Sequence, residues 1–301
     1  MVTMKNLQRF IFVLTLWYAT STFAVTAIFY QPQTKDLEAN VQNWPIIFSS
    51  VKQAGFDTLV LQWTRYGNAF SSTEERAWLK NRILEARQAK LNVIIGLSSE
   101  PDIFARIKQT NAALSNYLRK LRESDINLVR YWIQNLSITE ISGWYIALEI
   151  DDYEWREPAR RAQLKEHLDD EALKIQSIAD RPIFISSYFR GWMTPQRYAE
   201  LLNNIAEGNK LKIWVQDGAG EKKLNHLETN LYFQLLTHCE KPIINGKIFE
   251  IFEQVNQNNQ TFKAIPLSEK ILGTVLKQRA PCNGDSVFFS LRYLINLNNP
   301  N

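Results

Sequence analysis

Short runs rich in β-branched and aromatic residues alternate along this chain with longer stretches of helical period. The apolar runs at 27–31, 58–64, 92–97, 143–150, 182–188, 211–216, 247–252 and 286–291 predict eight strands. Between them, amphipathic stretches at 72–89, 103–136, 160–178, 197–206, 227–237 and 267–278 predict helices. Gly55 suits the end of a first helix, and Ser71-Ser72-Thr73 before Glu74-Glu75 is a helix start. Strands alternating with helices in this way predict a parallel α/β fold.

Residues 25–301 number 277, against the ~250 typical of a (β/α)8 TIM barrel. An open doubly wound sheet would carry a glycine-rich phosphate loop after its first strand. Here that position reads Phe29-Tyr30-Gln31-Pro32-Gln33, without glycine, and Gly218 and Gly220 are too few for a dinucleotide fingerprint. A barrel forming a single domain, 25–301, is therefore expected. The longest irregular piece is the Asn/Gln-rich stretch 254–260.

The first 24 residues read as a secretory signal peptide, with Lys5 and Arg9, a short apolar run at 10–18, and small residues around Thr22-Phe23-Ala24. That run falls short of the ~20 residues that span a bilayer, and no later segment is an uninterrupted apolar span, so no stable membrane span is expected. An uncleaved N-terminal anchor is the alternative. Removing 1–24 takes two of the four net positive charges and leaves +2. With no basic stripe either, nucleic acid is not expected as a partner. The protein is expected to be periplasmic or secreted. Cys239 and Cys282 each stand just before a predicted strand, the seventh and eighth; if those strands are neighbours, an oxidising compartment permits a disulfide. Two unpaired thiols are the other possibility.

In a parallel barrel the chemistry sits at the carboxyl ends of the strands. Strand four, Gly143-Trp144-Tyr145-Ile146-Ala147-Leu148-Glu149-Ile150-Asp151-Asp152, puts Ile146, Leu148 and Ile150 on one face and Ala147, Glu149 and Asp151 on the other. The branched set belongs against helices, which leaves Glu149 pointing into the mouth. Strand seven offers Glu250, embedded in its apolar run, or Glu253 at its end; Glu250 is preferred, because a charge within an apolar strand needs a reason to be there. Two carboxylates across one mouth are what glycoside hydrolysis requires, one to protonate the leaving oxygen and one to attack or to activate water. Other strand ends supply Gln62, Trp63 and Tyr66, then Asp151 and Asp152, Tyr188, and Trp214, Gln216 and Asp217 as candidates for binding sugar hydroxyls and ring faces. The aromatic count, 9 Trp, 11 Tyr and 16 Phe, suits such a cleft, though any single Trp is as readily a packing residue.

These motifs resemble the bacterial family catalogued as domain of unknown function 4434, whose members look like TIM-barrel glycoside hydrolases. The matching pieces are Tyr30-Gln31-Pro32, Asp57-Thr58-Leu59-Val60-Leu61-Gln62-Trp63-Thr64, the strand-four segment 143–152, Val215-Gln216-Asp217-Gly218 and Glu250-Ile251-Phe252-Glu253. Similarity to clan A glycoside hydrolases implies Glu149 as acid/base and Glu250 as nucleophile. Those hydrolases usually carry Asn before the acid/base; here Leu148 stands there, which leaves the contact to the sugar 2-hydroxyl unassigned.

Zinc catalysis needs clustered His and Cys, whereas His167, His226 and His238 fall in helical or connecting segments and are read as surface residues. A hard cation on Glu149, Asp151 and Asp152 would suit a phosphodiesterase, but such acids more often cap helices, so no metal and no cofactor are expected. The segment 120–125 reads as a mixed-charge, solvated helix face. The sequence thus predicts an exported glycoside hydrolase acting on a bacterial envelope polysaccharide or exopolysaccharide with two glutamates in a retaining mechanism. The rival is a barrel that binds glycan without cleaving it, within exopolysaccharide synthesis, export or receptor machinery.

Overall fold

A computed structural model of the chain describes residues 24–38, 43–255 and 263–295. The leader expected at 1–24, apart from Ala24, and most of the Asn/Gln-rich stretch lie outside them. Eight strands form one closed parallel barrel. They are β1 (Thr26–Tyr30), β2 (Thr58–Leu61), β3 (Asn92–Gly96), β4 (Gly143–Asp151), β5 (Ile183–Tyr188), β6 (Leu211–Gln216), β7 (Gly246–Glu250) and β8 (Asp285–Phe289). Each pairs with its neighbours in sequence, and β8 closes on β1 through Thr26 opposite Ser286. The (β/α)8 reading holds. Helices return the chain between strands: α1 (Trp44–Gln53), α2 (Thr73–Gln88), α3 (Asn111–Asn135), α4 (Pro158–Ile178), α5 (Pro195–Ala206), α6 (His226–Leu236) and α7 (Glu269–Val275).

The alternation of strand side chains divides the core in two. Ala27, Phe29, Val60, Ile94, Tyr145, Ala147, Phe184, Trp214, Ile248 and Val287 fill the lumen. The intervening residues, such as Ile28, Leu59, Ile146, Ile185 and Phe249, face the helices and join the larger core. Between Ile146 and Ile150 the register against β5 shifts, four residues of β4 spanning the two from Ile185 to Ser187. This bulge lies beside Glu149.

Several elements differ from the pattern. Expected strands two and seven are shorter, because Arg65–Tyr66 leaves the barrel to pair with Ser98–Ser99, and Phe252–Gln254 pairs with Ala264–Pro266. The helix expected over 103–136 is two, Ile103–Ile107 and then α3, because the Thr110 hydroxyl accepts the Ala113 N–H and caps a new start.

The 120–125 segment is not wholly solvated, and His167 is not on the surface: Asp125, His167 and Glu171 are all buried. They cluster between α3 and α4. Arg122 donates to His167 Nδ1 at 3.3 Å, so Nε2 carries the hydrogen and faces Glu171 Oε2 at 3.1 Å. Glu171 lies within electrostatic reach of Asp125, which accepts the Ser98 N–H at 2.7 Å and so anchors the segment leaving β3. Burial raises Asp125 to about 6 and raises Glu171 well above the usual range; burial and the Arg122 charge lower His167 to about 3.

Cys239 and Cys282 form a disulfide with Cα atoms 5.0 Å apart, joining the segments that enter the adjacent strands β7 and β8. It closes a separation of 43 residues; on chain-entropy arithmetic, Cys282→Ser should lower the unfolding free energy by about 4 kcal/mol. Urea denaturation without reductant measures this, and an unchanged midpoint would mean the bridge constrains nothing. Because native His167 stays neutral while the unfolded residue protonates near its ordinary value, stability falls as pH drops from about 6.5 toward about 3. His167→Gln should flatten that loss by on the order of a few kcal/mol, read as the difference in urea midpoints between pH 7 and pH 4.5.

Candidate active site

Above the Asp285 carboxylate at its floor the lumen is lined mainly by apolar and aromatic side chains up to its carboxyl end, where acidic side chains take over. Glu149 follows Tyr145 and Ala147 along the lumen face of β4, and Glu250 follows Ile248 along that of β7. Glu250 is 5 % exposed and accepts the Gly220 N–H at 2.7 Å. Gly220 belongs to the turn after β6, and a β-carbon there would lie 2.5 Å from the Phe252 ring, so only glycine brings this N–H so close. Asp217 shapes the same turn, accepting the Ala219 and Glu250 N–H groups at 3.1 and 3.2 Å, with Lys247 Nζ 3.7 Å from its other oxygen.

Burial, the Asp151 charge and the Glu221 charge raise Glu149 to about 7, against the opposing pull of Arg190. Burial, Asp217 and Glu221 raise Glu250 to about 8, opposed by the Gly220 N–H. Glu221 is thus within electrostatic reach of both. It is held by Arg190, whose Nη2 lies 2.6 Å from its carboxylate. Arg190 in turn sits 5.5 Å over the Tyr188 ring, and the Tyr188 hydroxyl donates to Asp151 at 3.4 Å. Two titratable carboxyl groups, both shifted toward neutrality at one mouth, can divide the work of proton donor and base.

The profile of the family described as Domain of unknown function (DUF4434) matches residues 25–301. The chain belongs to the DUF4434 family. It is 38 % identical over 291 residues to the uncharacterized protein YbcH of Escherichia coli strain K12, covering 96 % of this chain and 97 % of that one. Among solved structures it is similar to a putative alpha-L-fucosidase from Bacteroides thetaiotaomicron, with TM-score 0.61 and 16 % identity over 96 % of this chain and 91 % of that one. It is also similar to ZgEngAGH5_4 in complex with a cellotriose, with TM-score 0.52 and 10 % identity over 88 % and 87 %. At these identities the likeness is one of fold, that of TIM-barrel glycoside hydrolases.

Within the DUF4434 barrel, not every expected site residue faces the mouth. Trp214 is a packing residue: fully buried, it stacks against Phe184 at 4.4 Å and donates through Nε1 to Asp285 at 2.9 Å, deep in the lumen. Asp152 is also fully buried and accepts the N–H groups of Arg190, Trp192 and Met193, fixing the loop after β5 rather than a ligand. Asp151 holds its own turn through Tyr153 N and Glu154 N, at 3.1 and 2.6 Å. Trp63 and Tyr66 stack 4.7 Å apart, half-buried, with the Trp63 Nε1 donating to Pro32 O. Gln62, Tyr188 and Gln216 are half-buried, and Gln62 Oε1 is a buried acceptor without a partner. Glu253, the other strand-seven carboxylate, lies outside the barrel strand and pairs with Lys222 at 2.5 Å. Among the described residues, no three His, Cys, Asp or Glu side chains are placed to hold a metal ion.

The sequence reasoning missed Glu221. Its signal was faint, an acid in the loop after β6 that needed Arg190 from the loop after β5 to fix it. Glu221→Gln should lower the titration midpoints of both Glu149 and Glu250, since it removes a nearby negative charge and releases Arg190. Carboxyl carbon shifts followed by NMR against pH check this; an unmoved Glu149 midpoint would place the responsible charge elsewhere.

Proposed function

We propose that this protein is an exported glycoside hydrolase that cleaves a bacterial envelope polysaccharide or exopolysaccharide. The observation carrying this reading is the pair Glu149 and Glu250, from strands β4 and β7, both on the lumen face and both shifted toward neutrality. Glu149 serves as general acid and then base; Glu250 attacks the anomeric carbon in a retaining mechanism. The N–H of Gly220 stabilises the Glu250 anion that attack requires. Positive charge developing on the sugar favours that anion further in the transition state. Gln62, Tyr188 and Gln216 line the mouth as partners for hydroxyls, and Trp63 with Tyr66 offers ring faces. The disulfide, and the absence among the described helices of any long and apolar enough to cross a membrane, are consistent with the exported location.

One observation favours a second reading, glycan binding without cleavage. Leu148 is buried against the helices, so the position before Glu149 offers nothing to a sugar 2-hydroxyl. Reducing-end release across a panel of bacterial exopolysaccharides separates the two. Glu149→Gln should lower kcat by about 10²–10⁴-fold, and Glu250→Gln at least as much, each with glycan binding retained. Full activity in both variants would end the catalytic reading; binding without any turnover in the parent would establish the second. With Glu149 at about 7 and Glu250 at about 8, the competent form, Glu149 protonated and Glu250 ionised, is the minor of the two singly protonated forms. The profile of kcat/KM should follow a narrow bell peaking between about 7 and about 8, with that minor form carrying the turnover.

A further inference from the structure

The amino end of the barrel poses a problem that its first strand must solve. β1 enters a closed ring, and the N–H groups at its start need acceptors near the barrel floor. Two carboxylates supply them. Asp285, which opens β8, accepts the Val25 N–H at 3.1 Å, and Asp57, just before β2, accepts the Thr26 N–H at 3.0 Å. Asp285 is 8 % exposed, and its second oxygen takes the Trp214 indole N–H. A carboxylate so nearly buried is best matched by a positive charge. A cavity of about 220 Å³ at this rim is lined by Ala24, Val25, Lys212, Lys247, Gly284 and Asp285, among others, so there is room beside Val25 for a chain end.

We propose that the Ala24–Val25 bond is a processing site and that the α-ammonium it releases on Val25 seats on the Asp285 carboxylate. A signal peptidase would hydrolyse the bond: one water is added, Ala24 leaves as the carboxylate end of the leader, and the Val25 nitrogen takes up a proton at neutral pH. The small residues Thr22 and Ala24 occupy the third and first positions before the bond. The cut falls one residue before β1, so no barrel residue is lost. It also converts a neutral donor already 3.1 Å from Asp285 Oδ1 into a charged one. Processing then strengthens the strand that closes the ring.

The seat has a definite pH signature. An α-amino group ordinarily titrates near ~7.7–8.0, and the Asp285 charge raises it. Its stabilisation is complete below that ordinary range and is lost as pH rises through the raised value. Asp57 adds negative charge from the β2 side, and Lys212 adds positive charge from β6, the Lys247 ammonium being turned toward Asp217.

This inference rests on the export reading and is independent of the hydrolase reading. N-terminal sequencing of the product of the full chain, made in a bacterium and recovered from outside the cytoplasm, should read Val25 first. A product that keeps residue 1 overturns both export by cleavage and the seat; a product beginning elsewhere leaves export standing and overturns the seat alone. Next, protein beginning at Val25 is compared with protein carrying Ala24 as one extra residue. The shorter form should melt higher by ~2–6 °C at pH 6, with the difference gone by pH 10, and Asp285→Asn should abolish it at pH 6. Equal Tm values for the two lengths at pH 6 overturn the proposal even if the Asp285 variant does not fold.

Discussion

Closing eight parallel strands into a ring forces every second side chain into a lumen from which water is excluded, and the rest of this structure follows from that constraint. Only apolar or fully hydrogen-bonded groups can occupy the floor and middle, and here they are Phe29, Phe184, Tyr145 and Trp214, whose rings pack edge to face and face to face. Polar groups are tolerated only at the two ends. At the floor, Asp285 meets an indole and the first strand. At the mouth, β4 and β7 can present carboxylates because the ring ends there and loops take over.

The mouth is costly in charge. Glu149, Asp151, Asp217, Glu221 and Glu250 lie close enough to act on one another, against Arg190 and Lys247. Such an arrangement is relieved by taking up protons, which is why both lumen glutamates resist ionisation. The same crowding that weakens the fold here keeps two carboxyl groups in exchange with protons near neutrality.

Much of this was legible in the sequence because it depends on local pattern. Eight apolar runs at regular spacing leave little choice of fold, and the two-residue period of β4 already separates Glu149 from Leu148. What depends on distant partners was not legible. Nothing in its own neighbourhood says that Asp152 turns inward to bind three N–H groups of the loop after β5. Nor does the charge pattern of α3 reveal that Asp125 meets Glu171 of α4. Trp214 has the same neighbours in sequence whether it stands at the mouth or in the floor; its height along the lumen separates the two, and that follows from the stagger of strands around the ring. The seventh strand is shorter than its apolar run because the pattern carries through Phe252 while the backbone has already left the barrel for the Ala264–Pro266 partner.

The bulge in β4 makes the chemistry of the mouth a matter of reading frame. Four residues there do the work of two against β5, an even excess that keeps Glu149 on the lumen face with Tyr145 and Ala147. Deleting a single residue from this excess would rotate an aliphatic side chain into the lumen and turn the glutamate toward the helices, while leaving the ring closed. Barrels of the same outline could in this way gain or lose a carboxylate at the fourth strand by one codon, without any substitution of the acid itself.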